Sequence, residues 1–475
     1  MAFCADYVQF DPAILSLIPK AAKAEVRSGE FKFGKELRLS SGALERLAPT
    51  LELFRVTALS DDVDPQVSMK EDASLGTEAF RLEITPEKIL VTYGDKSGKI
   101  YALSAVEQLL YLGFRYGADQ AFLECGIVED KPRFSWRAVM LDSARHFQRV
   151  STIVRLLKAM GRIRLNRFHW HLVDNQGWRC PSEGAPKLTG LQEYEPGCYT
   201  REEIALIRKT AAENGIEIIP EIDYPGHNHG AVSLYPELRC QVKDSEKGNE
   251  ICLGSQAAMD FVKARYSEVF ALFPESRYFH IGGDEAWDGW WRQCPVCQAK
   301  MKELGLESPR KLEEWFMRQV SQFVLDNGRI PISWRTNAIL TPQNILQCWG
   351  NPGDMYGCAY HDQGKNLVIA SNDCSYYMDY PQSTSEPRMH WMTYLNEESV
   401  YGSNPAYHMG AVLGDRLIGL ECPLWTEVVP DWRVGVKFFP RLVAAAESAW
   451  TCQPKNYNDY LNRRQSLDLA GYLWW

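Results

Sequence analysis

From residue 136 onward the chain alternates short apolar runs with amphipathic stretches, and this alternation constrains the fold more than any other feature. The apolar runs read as strands: RAVMLD (137–142), RFHWHLVD (167–174), IEIIPEID (216–223), YFHIGG (278–283), RIPISW (329–334), NILQCW (344–349), NLVIAS (366–371) and LIGLECPLW (417–425). Between them lie helices. One spans Thr200 to Asn214, where Thr200 and Glu203 form a capping box and Ile204, Ile207 and Ala211 share a face. SPRKLEEWFMRQVSQFVLDNG is another, stopped by Gly328. Repeated βα units imply a parallel sheet, and eight strands with intervening helices are the count of a closed (β/α)8 TIM barrel. A loop-rich insertion from about 375 to 410 makes the last units less regular.

At 475 residues the chain exceeds one ordinary core. Its first part reads as a smaller N-terminal α/β domain, with FRLEIT and ILVTYG as adjacent strands joined by PEK and IYALSAVEQLLYLG as a helix. The charges and Pro132 of EDKPRFSWRA mark a boundary, which predicts an accessory domain over 1–130 and the barrel over 131–475. A net charge of -9 argues against nucleic acid or an anionic membrane surface as partner. No apolar run is long enough to span a bilayer, and MAFCADYVQF lacks the pattern of a signal peptide. The 13 cysteines, odd in number and scattered through core-like segments, read as reduced thiols, so a cytoplasmic location is expected. The pair Cys294 and Cys297, in CPVC, has the form of half a zinc site or a redox pair. No second CxxC or paired His follows at ligand spacing, so the expectation is core thiols, with no metal and no cofactor. Nothing in the sequence sets the oligomeric state.

Working residues of such a barrel belong at the C-terminal strand ends, where the loops converge. Here those ends carry Asp142 and Arg145, then Asp174, then Glu221, Asp223 and His227, then Asp284 and Glu285. Trp334, Trp349, Tyr377 with Asp379, and Trp425 with Glu427 follow. Carboxylates supply acid/base chemistry and tryptophan faces form apolar walls, which together suggest a carbohydrate pocket. Neighbouring side chains of a regular strand point to opposite faces, so Asp284 and Glu285 share a pocket only if Gly282 and Gly283 take the backbone out of the pleat. Adjacent carboxyls fit poorly a retaining glycosidase that holds acid and nucleophile on either side of the scissile bond.

HIGGDE at 280–285 matches the H-x-G-G-D-E mark of glycoside hydrolase family 20, the β-N-acetylhexosaminidases, which this chain resembles. RAVMLDSARHF (137–147), FHWHLVDNQGWR (168–179), PEIDYPGH (220–227), YMD (377–379) and PLWTE (423–427) resemble the family's other blocks in its order. The resemblance covers the whole barrel and, more weakly, the N-terminal piece.

The resemblance implies an exo-acting hydrolase of terminal β-linked N-acetylglucosamine or N-acetylgalactosamine. In its retaining, substrate-assisted mechanism the sugar's own acetamido oxygen attacks the anomeric carbon and forms an oxazolinium intermediate. Glu285 would be the general acid and then base, Asp284 would orient the acetamido N–H, and Tyr377 would donate to the acetamido carbonyl. Trp334, Trp349 and Trp425 would box the acetamido methyl, with Trp391 a further pocket residue. Arg145, Asp379 and Glu427 would bind sugar hydroxyls. Asp174 would hold His227, and His227 would contact Glu285. Arg335 departs from the acidic or amide residues usual after that tryptophan, which leaves room for a sulfated or otherwise decorated substrate, or a disaccharide. Two other classes stay open at this stage. One is a metal-dependent hydrolase built on GHNHG, with His227 and His229; the other is a catalytically inert sugar-binding protein.

Overall fold

The computed structural model describes residues 11–114, 121–191, 195–334, 340–350, 366–406, 412–469 and 471–473. They form two compact units.

The first unit is built on a seven-stranded mixed sheet. Its strands are β1 (Lys23–Phe33), β2 (Glu36–Leu39), β3 (Thr57–Ser60), β4 (Val67–Glu71), β5 (Phe80–Ile84), β6 (Ile89–Tyr93) and β7 (Ala121–Asp130), in the spatial order β1-β7-β5-β6-β4-β2-β3. Helices α1 (Ser41–Leu53) and α2 (Lys96–Phe114) complete it. In β5 the residues Phe80, Leu82 and Ile84 are buried in alternation, as a half-covered strand requires.

The division between units differs from that expected. It falls between Ser135 and Trp136, and the first unit also takes Ala159–Leu165 and the residues from Val443 on. Buried charge explains the grouping. Asp130 accepts from Arg164 Nη1 at 2.6 Å and from Trp450 Nε1 at 2.9 Å. Arg463 donates to Glu447 at 2.9 and 2.5 Å and to the Leu17 carbonyl at 2.9 Å. A buried carboxylate is tolerated only with such partners, so the two C-terminal helices stay where their carboxylates are answered.

The second unit is a closed barrel of eight parallel strands. In chain order they are β8 (Trp136–Asp142), β9 (Arg167–His171), β12 (Glu217–Glu221), β13 (Tyr278–His280), β14 (Ile330–Trp334), β15 (Ile345–Cys348), β16 (Val368–Ala370) and β17 (Leu417–Leu424). Each pairs with the next, and β17 closes on β8. The short ribbon of β10 (Val173–Asp174) and β11 (Gly177–Trp178) follows β9, so Asp174 stands beyond the strand end predicted for it. The strand itself stops at His171. The predicted capping box is present, with Thr200 N–H to Glu203 at 2.8 Å and Glu203 N–H to Thr200 at 3.1 Å, at the start of the helix Arg201–Glu213.

Inward side chains stack in layers along the barrel axis. Trp136, Ala138, Ile219, Ile332, Ile345 and Ile369 make an apolar layer. Two residues further along the same strands the interior turns polar, because every second residue shares a face. Glu221 accepts from His169 Nε2 at 2.9 Å, Trp334 Nε1 at 2.7 Å and also from His171 Nδ1, and it lies 2.8 Å from His280 Nδ1. Glu421 accepts from His169 Nδ1 and Gln347 Nε2, each at 2.7 Å, and from Trp136 Nε1 at 3.2 Å. Burial opposes a proton on His169, but Glu421 and Glu221 override it and hold its pKa at about 9. His171 is raised in the same sense by Glu221 and Asp174 against its burial.

The sign of the linkage follows directly. A folded pKa of about 9 against an ordinary 6.5 gives stability that is complete below pH 6.5 and is lost as pH rises through 9. The His169 contribution is roughly 3 kcal/mol, at 1.36 kcal/mol per pH unit. The Tm of His169→Gln is therefore expected to lie below wild type at about pH 6, with the gap narrowing by about pH 10. A gap constant across that window in paired thermal melts contradicts the charged assignment.

Candidate active site

Three backbone devices shape the loop that follows β13. Gly282 has φ 69° and Gly283 has φ 106°, left-handed conformations that favour glycine. A Cβ on Gly282 would lie 1.7 Å from Asp223 Oδ1, so this loop touches the carboxylate beyond β12. Gly283 N–H donates to that same oxygen at 3.0 Å, and Trp334 N–H donates to the Gly282 carbonyl at 3.0 Å. The chain thus leaves the pleat where expected, and it is tied to both neighbouring strands.

Glu285 and His227 carry left-handed backbone without being glycine, at φ 50° and 54°. Such strain concentrates at working sites. Its product here is a meeting of side chains. His227 Nε2 lies 3.6 Å from Glu285 Oε2 and 3.9 Å from Asp284 Oδ1, while Nδ1 lies 3.3 Å from Asp174 Oδ1. Asp174 Oδ2 in turn takes Arg145 Nη2 at 2.8 Å and His171 Nε2 at 3.0 Å. Arg145 also reaches Asp142 at 3.3 Å. The result is a continuous line, Arg145–Asp174–His227–Glu285.

Electrostatics polarise that line. Burial would raise Asp174, but Arg145 and His227 hold it well below the carboxylate range. Burial would lower His227, but Asp174 chiefly raises it well above the imidazole range. His227, 3.6 Å away, pulls Glu285 down, outweighing desolvation. Asp284 is pushed up by burial and by Glu285, and Asp223 further up by burial and by Asp284. A hydrogen bond with Asp223 acts against the rise at Asp284. The two adjacent acids differ in setting: the Asp284 side chain is 11% exposed, and that of Glu285, at the mouth, is 60% exposed.

The wall of the site is aromatic. Trp334 is buried with its N–H fixed on Glu221, and its ring lies 5.6 Å from that of Trp425. Arg145 sits over the Trp425 ring at 5.1 Å. Tyr377 is buried and hydrogen-bonded to Trp425; burial raises its phenol well above the usual range, so it remains a donor. Asp379 is pushed up to about 8 by burial and by the nearby Glu427.

Several polar atoms at this mouth are buried and without a hydrogen-bond partner among the described residues: Asp284 Oδ1, Asp379 Oδ1, Glu427 Oε2 and Trp349 Nε1. Buried polar groups are ordinarily paired, so orphans gathered at one strand-end mouth await a polar ligand. Arg145 is engaged by Asp174 and Asp142, which leaves a Glu427 oxygen open.

Two predicted tryptophans are less integrated. Trp349 follows β15, and its ring stacks on neither Trp334 nor Trp425; Trp391 is half exposed, with its ring edge-on to His390 at 4.9 Å. Arg335 lies outside the described residues. His229 Nδ1 lies 3.0 Å from the Gly248 carbonyl, and the residues gathered with His227 are Asp223 and Asp284 and not His229. Beside the Glu285 loop, Asn175, His229, Lys247, Glu250, Trp287 and Trp290 line a cleft of about 440 Å³.

Motif reading missed the layer beneath the site, formed by His169, His171, His280 and Glu421. The available signal was the i, i+2 spacing of His169 and His171 in an otherwise apolar strand. It also missed the convergence of Cys294 and Cys297 with Cys240 and Cys252, whose Sγ atoms all lie within 4.8 Å of one another.

Comparison with known proteins agrees with this geometry. Residues 134–453 match the model of the glycosyl hydrolase family 20 catalytic domain, and residues 15–131 match that family's domain 2. A β-hexosaminidase of Akkermansia muciniphila is 30% identical over 423 residues, covering 84% of each chain. One from Vibrio furnissii is 29% identical, over 92% of this chain and 77% of its own. The crystal structure of a Vibrio harveyi GH20 exo-β-N-acetylglucosaminidase in complex with N-acetylglucosamine superposes with a TM-score of 0.86, at 28% identity, over 98% of this chain and 79% of that one. A Bacteroides fragilis β-N-acetylhexosaminidase gives 0.83 at 29% identity, over 96% of each chain.

Proposed function

The chain belongs to glycosyl hydrolase family 20 and acts as an exo-β-N-acetylhexosaminidase; we propose that it removes terminal β-linked N-acetylglucosamine or N-acetylgalactosamine by a retaining mechanism in which the substrate supplies the nucleophile. One observation carries the mechanistic reading. Asp284 and Glu285 both approach the same nitrogen, His227 Nε2, at 3.9 and 3.6 Å. Two sequence neighbours that reach one imidazole from the same loop fit poorly an acid and a nucleophile drawn from either side of a scissile bond.

Glu285, exposed at the mouth, delivers a proton to the leaving oxygen and afterwards takes one from water. The line behind it biases which group holds that proton: Asp174 chiefly raises His227, and Arg145 and His227 in turn keep Asp174 ionised. Asp284 accepts the acetamido N–H and stabilises positive charge as the ring closes. Tyr377 donates to the acetamido oxygen, and Trp334 and Trp425 give its methyl an apolar wall worth roughly 1 kcal/mol. Arg145, Asp379 and Glu427 take the sugar hydroxyls, Trp349 and Trp391 complete the wall, and the cleft lined by Trp287 and Trp290 receives the leaving portion. Among the described residues no disulfide joins the cysteines, which supports a reducing compartment such as the cytoplasm. No helix is long and apolar enough to cross a membrane among the described residues.

The test compares aryl β-glycosides of N-acetylglucosamine, N-acetylgalactosamine and glucose, with a thiazoline as inhibitor. Turnover is expected for the two acetamido sugars alone, with competitive inhibition by the thiazoline. A glucoside hydrolysed as fast as its acetamido analogue rules out assistance by the substrate.

A further inference from the structure

Four cysteines far apart in sequence meet at one buried point away from the proposed chemistry. Cys240, Cys252, Cys294 and Cys297 are 1%, 3%, 1% and 0% exposed. Sγ separations are 3.8 Å for Cys240–Cys297, 3.8 Å for Cys252–Cys294 and 3.6 Å for Cys252–Cys297. Disulfide sulfurs lie about 2.05 Å apart, so these are not bridged. A tetrahedron with metal–sulfur bonds of about 2.3 Å has edges of about 3.8 Å. We infer that Cys240, Cys252, Cys294 and Cys297 form a structural tetrathiolate site for one zinc ion.

The surrounding backbone is built for the same end. An isolated antiparallel bridge pairs Arg239 with Ile251, and Cys252 N–H donates to the Leu238 carbonyl at 2.7 Å, which sets Cys240 beside Cys252. Gly254 N–H bonds to the sulfurs of Cys252 and Cys297. A side chain at Gly254 is excluded, because a Cβ would lie 2.5 Å from the Val296 carbonyl oxygen and 2.8 Å from Cys297 Cα. Cys294 is the N-cap of the helix Pro295–Leu304 and Cys297 lies in its first turn, where the helix dipole favours thiolate. The Gly254 amide and the helix N-terminus beneath Cys294 and Cys297 stabilise anions, and four buried thiolates require a cation. Soft thiolate ligands in tetrahedral array select zinc over hard cations.

Binding is balanced as four thiols plus Zn²⁺ giving a tetrathiolate of net charge 2− and four protons released. No electron moves. Every ligand position is filled by protein, so the ion has no open site for water and is structural. It staples the loop beyond β12 to the segment beyond β13. Glu250, two residues before Cys252, accepts Trp287 N–H at 2.9 Å, and the Trp291 indole donates to the Ile251 carbonyl at 2.9 Å. The staple therefore braces the loop that carries Glu285.

The inference does not rest on the proposed mechanism, and its readouts are metal content, spectrum and melting. Full-length protein purified without chelator should contain one zinc per chain by elemental analysis. A mercurial thiol reagent should release it. Zinc removed under mild denaturant and replaced by cobalt should give the absorption of a tetrahedral tetrathiolate centre, with Tm restored by several degrees on refilling. Cys252→Ser and the double variant Cys294→Ser, Cys297→Ser should lose the zinc. Should those variants not fold, the zinc ratio and cobalt spectrum of the native chain decide. Absence of zinc above buffer level, iron as the bound metal, or a disulfide among the four overturns the inference.

Discussion

Glu285→Gln should lower kcat on an alkyl or oligosaccharide N-acetyl-β-glucosaminide by about 10³, or roughly 4 kcal/mol of barrier. Glutamine keeps the volume and the contact with His227 but has no proton to give, so KM should change little. The size of the loss depends on the leaving group. An aryl aglycone such as p-nitrophenol departs without much help, so its first step should suffer far less, and the remaining deficit should fall on the water-activating step. An equal loss on alkyl and aryl substrates would remove Glu285 from the acid role, because protonation matters only where the leaving group is basic. The side chain's exposed position at the mouth, against the buried Asp284, is the structural reason for assigning the proton to Glu285.

Asp284→Ala is the second large effect, expected at about 10² to 10³ in kcat. It removes the anion that faces developing positive charge and the acceptor that aims the acetamido group. Asn restores the acceptor without the charge and should recover part of the loss. Thiazoline affinity should fall in parallel with kcat, since that inhibitor resembles the cyclised intermediate, while affinity for free N-acetylglucosamine should change far less. Thiazoline binding left intact in the alanine variant breaks the assignment. A second readout is stability. Asp284 is buried and its charge raises the pKa of the neighbouring Asp223. Removing one carboxyl relieves that repulsion, so the inactive variant should melt no lower than wild type.

Legibility in the sequence followed the physics of each element. The eight barrel strands stood out because a parallel sheet covered on both faces needs nearly continuous apolar runs; β8 is buried at every residue. Strand β1, in contrast, is mostly exposed, and KAEVRSGEFKF carries no apolar alternation except at Phe31 and Phe33. It pairs with β7 alone, as an edge strand does. Asp284 and Glu285 were readable because two glycines beside two acids have few bland explanations. Asp174 was placed at a strand end because apolar character runs on through Leu172 and Val173, whereas the backbone turns into a ribbon there. The cysteine cluster was illegible for another reason. Its ligands come from two loops that only barrel closure brings together, and no local spacing announces a pairing made by tertiary structure. The C-terminal helices posed the same problem, since the carboxylates and arginines that fix them are remote in sequence.

The polar layer under the site also governs how this barrel can change over generations. Glu221 serves four partners and Glu421 three, on several different strands. Loss of any one member strands a buried charge or donor, at a cost of about 3 to 5 kcal/mol, comparable to much of a domain's stability. Single substitutions in the layer are therefore expected to be costly, whereas exposed rim positions such as Lys247 and Trp391 carry no such penalty.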